Sequence, residues 1–427
     1  MQPAYLDEPP SYAGSVYSRS TVASPEYSPS PRLTELVIRS SSDASCISSQ
    51  AYVFRSKHII VNLGPKEWGT SIPVYGGGGI VAGTFSLSGD LRNVSSVIVK
   101  LEGSVTNTYT ERGLVAGTSS VDILKHSTPL SAPIAGDWTN DQPISIPFPT
   151  YADGRQSRLP PSSIFYQPGV SCVVKYRLKI TVIRKGFMRR NDSIKIPLLY
   201  LPRTFANGPL IESIPTTSYS EYSEHVKVVR LEASSKHGSF DNAPAIALML
   251  PSTLSFAAYD TIPMSLSTVS RHDAAVAKLL LSSAKIQLIK RTRTWINCGR
   301  NGSSQDGLVG VAEVVGIDEN REGTTVFSYE LRINRPAVQK SWSVEGVAEQ
   351  QYYIRVVIRP LSSIASHVPN YNCEQPIELT TDSYESPERE LLAMGGSPSP
   401  ALGTLEAGPP VTRVGSSSAR LSHITYR

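Results

Sequence analysis

Cysteine is scarce in this chain: four residues in 427, at Cys46, Cys172, Cys298 and Cys373, far apart and without a Cys-x-x-Cys pair. That spacing excludes a dense disulfide framework and a structural zinc site. In a chain this large the four read most simply as buried free thiols of a reducing compartment, with two long-range disulfides left open. Long apolar runs are missing too: no uncharged stretch approaches the roughly eighteen apolar residues of a transmembrane helix. The first thirty residues hold no basic segment leading into an apolar run, so a cytoplasmic protein that meets membranes only peripherally is expected. The Asn-x-Ser sequences at Asn93, Asn191 and Asn301 then read as ordinary turns. Charge is low, at 18% of residues, and the net +5 is spread along the chain, which leaves no footprint for nucleic acid. Catalytic signatures are lacking as well. The histidines are scattered without metal-ligand spacing, no Gly-x-Ser-x-Gly elbow occurs, and Gly76-Gly77-Gly78-Gly79 lacks the Lys-Ser/Thr of a phosphate loop and reads as a flexible connection. Neither an enzyme nor a metal, a cofactor or a small-molecule substrate is expected.

In place of charge the chain has Ser, Thr, Tyr, Val and Ile, with 32 prolines and 30 glycines, the composition of a β-rich protein with many turns. The clearest strand is 173–183, where Tyr176, Leu178, Ile180 and Val182 alternate with Lys175, Arg177, Lys179 and Thr181. Residues 97–105 alternate in the same way, with Gly103 marking a bulge or a close approach. Further strands are predicted at 52–55, 59–63, 80–87, 194–201, 226–231, 245–250, 285–289, 309–315, 326–333 and 352–358. One stretch, 273–281, has helical composition. Short strands between turn signals predict β-sandwiches.

Residues 1–32 carry six prolines, seven serines and four tyrosines but almost no aliphatic residues, so they cannot bury enough surface to fold. Residues 386–427 repeat that composition and are likewise expected to be mobile. Between the tails the chain divides into strand-rich regions at 33–204 and 223–385, separated by a Pro-, Ser-, Thr- and Tyr-rich linker at 205–222. The first tail contains Pro9-Pro10-Ser11-Tyr12. Two prolines pre-set a polyproline II helix of three residues per turn, which puts Pro9 and Tyr12 on one face. Pro9 and Pro10 form a ridge, Ser11 is a spacer and Tyr12 fills a second pocket, the shape that WW domains recognise. Six Ser-Pro sites, at Ser24, Ser28, Ser30, Ser386, Ser397 and Ser399, are candidates for phosphorylation by a proline-directed kinase.

The order of motifs in the body resembles the arrestin fold, and the fungal α-arrestins in particular, over most of residues 50–385. Val81-Ala82-Gly83-Thr84-Phe85-Ser86-Leu87 followed by Val97-Ile98-Val99-Lys100-Leu101-Glu102-Gly103 looks like that family's paired early strands. Ile146-Pro147-Phe148-Pro149, then Leu159-Pro160-Pro161-Ser162, then Val174-Lys175-Tyr176-Arg177-Leu178-Lys179 is similar to its signature, and Leu248-Met249-Leu250-Pro251 opens a less distinct second half. The resemblance implies an all-β protein: two immunoglobulin-like β-sandwiches in tandem (the arrestin fold) with disordered N- and C-terminal tails. It further implies an adaptor without a catalytic centre, coupling the cytosolic tails of membrane transporters or receptors to a WW-domain ubiquitin ligase of the HECT class through the Pro-Pro-x-Tyr peptide. Ubiquitination, endocytosis and sorting of the cargo would follow at the plasma membrane or endosomes.

There are departures from the family pattern. The second tail has Pro409-Pro410-Val411-Thr412 with no tyrosine, and Val368-Pro369-Asn370-Tyr371 is a relaxed motif, so Pro369 and Tyr371 stand as a weaker second docking candidate. The opposed charges that latch receptor arrestins are not matched residue by residue. Two basic clusters are candidates for contact with an anionic membrane or a phosphorylated tail: Arg184, Lys185, Arg189 and Arg190 in a hairpin, and Lys285, Lys290, Arg291, Arg293 and Arg300. The alternatives are an arrestin-fold endosomal-sorting or pH-signalling scaffold without ligase recruitment, and, more remotely, an extracellular adhesion sandwich.

Overall fold

A computed structural model describes residues 50–89, 91, 93–111, 114–131, 138, 141–185, 191–214, 224–234, 244–269, 274–296, 301–319, 324–362, 364–365 and 368–405. Among these residues ten strands build the first sandwich. They are β1 (Ala51–Arg55), β2 (Ile59–Pro65), β3 (Val74–Tyr75), β4 (Ile80–Leu87), β5 (Val94–Glu111), β6 (Leu114–Ser131), β7 (Gln142–Pro147), β8 (Ser163–Gln167), β9 (Val170–Arg184) and β10 (Asp192–Tyr200). One sheet has the order β1-β2-β4-β7 and the other β3-β10-β9-β5-β6, with β8 also on β9. Period-two alternation does the sorting. On β5 and β9, Val97, Val99, Leu101, Val105, Leu178, Ile180 and Val182 all point into the core, where Ile59, Val61, Val81, Phe85, Ile144 and Ile146 meet them from the other sheet. Each such side chain contributes roughly 1.5–3 kcal/mol by leaving water.

The second sandwich contains β11 (Val226–Arg230), β12 (Glu232–Ser234), β13 (Ala245–Pro251), β14 (Ser255–Ala257), β15 (Ile262–Val269), helix α1 (Ala274–Ser282), β16 (Ala284–Ile296), β17 (Asn301–Glu319), β18 (Thr324–Leu331), β19 (Trp342–Val344), β20 (Ala348–Ile358) and β21 (Asn370–Thr380). Its strands follow the path β11-β13-β15-β18-β17-β16-β20-β21-β12. Strand β17 makes the corner: residues up to Val311 pair with β16, and those from Ala312 pair with β18. Because β11 and β12 are separated only by Leu231 yet lie at opposite ends of the path, the layers nearly close on themselves. The all-β, tandem-sandwich class expected from the strand pattern is therefore the one observed, and the predicted helix is α1.

The family-like motifs converge on one aromatic cluster. Phe148 stacks on Tyr200 at 4.7 Å between centroids, and Tyr176 meets Phe148 edge-on at 5.7 Å and Tyr200 at 5.3 Å. The Tyr176 hydroxyl donates to the Pro160 carbonyl at 2.5 Å, while the Tyr200 backbone N–H donates to Ser162 Oγ at 2.9 Å. Gly103 is both things its sequence suggested. The β5–β6 register shifts between Gly103 and Ser104, and a Cβ at Gly103 would lie 2.6 Å from the Tyr176 ring.

Three expectations change. Residues 386–405 form a docked strap, with helix α2 (Pro387–Ala393) at its start and Ala401 buried. The linker begins pinned, since Ala206 N–H donates to the Asp382 carbonyl at 3.0 Å; residues 215–222 lie outside those described. The glycine run is an ordered turn, with Gly79 N–H donating to the Gly76 carbonyl and the Gly79 carbonyl accepting from Phe148 N–H.

Candidate functional site

The junction between the sandwiches is rich in polar contacts. The β19–β20 hairpin sends Trp342, Val344, Val347 and Ala348 into the first sandwich's core. Buried Asn107 on β5 donates to the carbonyls of Val347 (2.8 Å) and Trp295 (3.2 Å), and Tyr109 donates to Thr294 Oγ1 at 3.1 Å. Farther along, Thr204 and Thr381 exchange reciprocal bonds: each backbone N–H donates to the other's Oγ1, at 2.8 and 3.0 Å. Beside them Arg203 holds Asp382 at 2.6 Å through Nη1, the Ser399 carbonyl at 2.9 Å through Nε and Ser399 Oγ at 3.0 Å through Nη2. Glu388 closes the group, accepting from Ser399 Oγ at 2.5 Å and from Ser399 N–H at 3.0 Å. The Ser399 hydroxyl holds the Glu388 carboxyl below its usual range, against the opposing effect of burial; the Ser399 N–H and Arg203 act in the same direction as the hydroxyl.

These contacts decide the fate of several candidates. Ser386, expected in a mobile tail, is buried, and Ser399 is the centre of the group just described; only Ser397 is exposed. Pro369 is buried and Tyr371 is 2% exposed, donating to the Pro244 carbonyl at 2.7 Å. Alternation along β21 points Tyr371 into the core, so it cannot present its ring to a WW domain. Pro9, Pro10, Ser11, Tyr12, Ser24, Ser28, Ser30, Arg189, Arg190 and Arg300 lie outside the described residues, as do Cys46 and Cys298. Cys172 and Cys373 are unbonded, and burial pushes the Cys172 thiol up to about 12.

The basic strand face is not a free cationic surface. Arg291 forms ion pairs with Asp306 (2.7 Å) and Glu374 (3.0 Å), and Arg355 reaches both of the same carboxylates. Arg293 pairs with Glu349 at 2.9 Å, and Arg184 with Asp192 at 2.9 Å. Strand pairing causes this, because β17 and β20 flank β16 and β21 lies beside β20, so carboxylates on those strands reach the arginines. Lys290 is partly exposed and Lys185 exposed. The Arg291 guanidinium, aided by Arg355 and opposed by burial, holds Asp306 down at about 2. Its folded value lies below its unfolded one, so its stabilisation is complete above about pH 4 and is lost as pH falls toward 2. We expect Asp306→Asn to cost about 1 kcal/mol at pH 7, given the screening at a partly exposed site, and only a small fraction of that at pH 2. Urea melts at the two pH values check this; an equal loss at both would place the effect elsewhere.

Among the described residues no His, Cys, Asp and Glu group is placed to hold a metal, and no helix is long and apolar enough to cross a membrane. The class defined by the fold is thus a tandem β-sandwich protein with a polar network at the junction. No family model and no curated protein matches the chain. Among solved structures it is similar to squid arrestin, with a TM-score of 0.37 and 11% identity over 78% of this chain and 98% of that one. It is also similar to Spo0M, a sporulation control protein from Bacillus subtilis, with a TM-score of 0.20 and 10% identity over 60% of this chain and 90% of that one.

Proposed function

We propose that this protein is an arrestin-like adaptor, without catalytic activity of its own, that links membrane cargo to a WW-domain ubiquitin ligase of the HECT class. The observation that supports the reading is the convergence of its three family-like motifs. Residues 146–149, 159–162 and 174–179 are far apart in sequence yet contribute Phe148, Pro160, Ser162 and Tyr176 to one aromatic cluster. A resemblance made of residues that depend on one another physically is harder to reach by composition than four scattered matches.

In this reading the tandem sandwiches recognise the cytosolic tail of a transporter or receptor, and Pro9-Pro10-Ser11-Tyr12 holds the ligase beside it. Tethering makes the ligase's search for a cargo lysine effectively intramolecular. Lys185, with Arg189 and Arg190 at the β9–β10 hairpin, supplies a peripheral contact with acidic lipid at the plasma membrane or endosome. One short peptide binds weakly, so the tether acts together with cargo binding by the body.

The test is affinity capture of the full chain and of Tyr12→Ala, scored for a WW-domain ligase, with cargo ubiquitination read in parallel. Wild type should capture the ligase, and Tyr12→Ala should lose about tenfold or more of it, since it removes the side chain that fills the second pocket. A ligase absent from both captures would refute the mechanism, and equal capture by both would move the contact away from this peptide.

A further inference from the structure

Ser399 occupies a place that a simple tail serine would not. The strap lies across the junction: Pro398 and Pro400 sit against Gly76 of the first sandwich, where an added Cβ would be 3.0 Å from the Pro398 carbonyl oxygen. Ala401 N–H donates to the Leu201 carbonyl at 3.0 Å, and at the far end a Cβ at Gly403 would lie 3.6 Å from the Tyr259 hydroxyl of the second sandwich. Among the described residues the strap adds no strand to any of the sheets. Its attachment rests on few main-chain bonds and on the group formed by Arg203, Asp382, Glu388 and Ser399, which is the construction of a segment that opens locally well before the body unfolds.

We propose that Ser399 is a phosphorylation site for a proline-directed protein kinase, and that its phosphate releases the strap from the junction. The reaction transfers the γ-phosphoryl group of a nucleoside triphosphate to Ser399 Oγ. A new bond from Ser399 Oγ to the γ-phosphorus replaces the one from that phosphorus to the β,γ-bridging oxygen, the nucleoside diphosphate leaves, and the hydroxyl proton goes to the kinase's base. Pro400 supplies the residue that such kinases read, and local opening presents it.

Charge explains the release. In the docked state one guanidinium already faces two carboxylates, Asp382 at 2.6 Å and Glu388 at 3.5 Å. The hydroxyl to be modified lies 2.5 Å from a Glu388 oxygen and acts as its hydrogen-bond donor. Phosphorylation removes that donor and adds roughly −2 charge at the same spot, doubling the negative charge that Arg203 must balance. The docked geometry cannot hold both anions, so the modified strap stays open. Ser397 supplies the contrast, being a Ser-Pro site two residues away whose side chain is exposed. This inference stands apart from ligase recruitment and does not depend on it.

The experiment uses the full chain with phosphoserine installed at position 399 and reads hydrogen exchange by mass spectrometry. Phosphoserine at 399 should raise exchange across residues 397–403 by about tenfold or more while leaving β5 and β9 unchanged. Phosphoserine at 397 should have no such effect, and Glu388→Gln combined with phosphoserine at 399 should show a smaller rise. A strap exchanging at its unmodified rate, or the same rise from 397, overturns the release. In a second arm the unmodified full chain is incubated with a proline-directed kinase and a nucleoside triphosphate. Modification at Ser397 with none at Ser399 overturns the site itself.

Discussion

Replacing Tyr176 by alanine should lower the unfolding free energy by about 3–5 kcal/mol, and by phenylalanine about 1–3 kcal/mol. The ring is 2% exposed and meets the stacked Phe148–Tyr200 pair edge-on, with the Gly103 backbone against it. Alanine therefore leaves a cavity inside an aromatic cluster that is held from several strands and cannot collapse to fill it. Phenylalanine keeps the ring and loses only the hydroxyl, but the Pro160 carbonyl then forfeits its 2.5 Å donor in a buried place. Gly103→Ala offers a coupled test. In the wild type its Cβ would clash with the Tyr176 ring at 2.6 Å, whereas in the Tyr176→Ala background that obstacle is gone. The two changes should be clearly non-additive in a double-mutant cycle. Urea titration followed by tryptophan fluorescence measures all five proteins; additive losses, or a Tyr176→Ala loss below about 1 kcal/mol, would mean that the cluster does not hold the sandwich together.

Lys340 carries the second large effect, with the opposite sign. It lies just before β19, is 7% exposed, and no described residue accepts a hydrogen bond from its ammonium. Around it, Gln350 donates to the Lys340 carbonyl and to the Tyr352 hydroxyl, and that hydroxyl donates to Gln339, so the neighbouring polar groups satisfy one another and not Nζ. Burial pushes the amine down to about 7 from its usual 10.5. The folded value lies below the unfolded one, so between those pH values the unfolded chain binds more protons than the folded chain, and stability rises with pH through that window. Below pH 7 the full penalty stands, on the order of 5 kcal/mol from a shift of this size. Lys340→Met, which keeps the volume and removes the charge, should stabilise the protein by about 2–4 kcal/mol at pH 6 and by much less at pH 10. Melts across that range check it, and a gain independent of pH would show that the amine is not buried in its charged form.

Much of the fold was legible because strands bury one face. Strand β9 was read nearly to its ends from the alternation of Tyr176, Leu178, Ile180 and Val182 with Lys and Arg, and β5 from Val97, Val99 and Leu101. Strand β6 was missed. Of its residues only Ile123 and Leu124 are deeply buried, and its long polar remainder is held by register with β5, which a single-strand pattern does not encode. The site was less legible. Tyr371 looked like half of a docking peptide, but whether a tyrosine after a proline faces solvent or core depends on which strands flank β21. Arg291 looked like a free cation because Asp306 and Glu374 are distant in sequence.

The Ser-Pro-rich stretch beyond residue 385 makes the same point in reverse. Its composition says that it cannot form a core of its own, which remains true: it borrows one, laying Pro398 and Pro400 against Gly76 and Ser399 against Arg203. Periodicity and composition, which are local quantities, determined that the chain is all-β, which faces of β5 and β9 are wet, and that a Pro-Pro-Ser-Tyr peptide lies in a stretch with almost no aliphatic residues. Only the tertiary structure decided which charges are paired, which tyrosines are buried and where the strap docks. Those depend on contacts between residues far apart in the chain, such as Arg203 and Ser399 at a separation of 196 positions, and no local pattern records them.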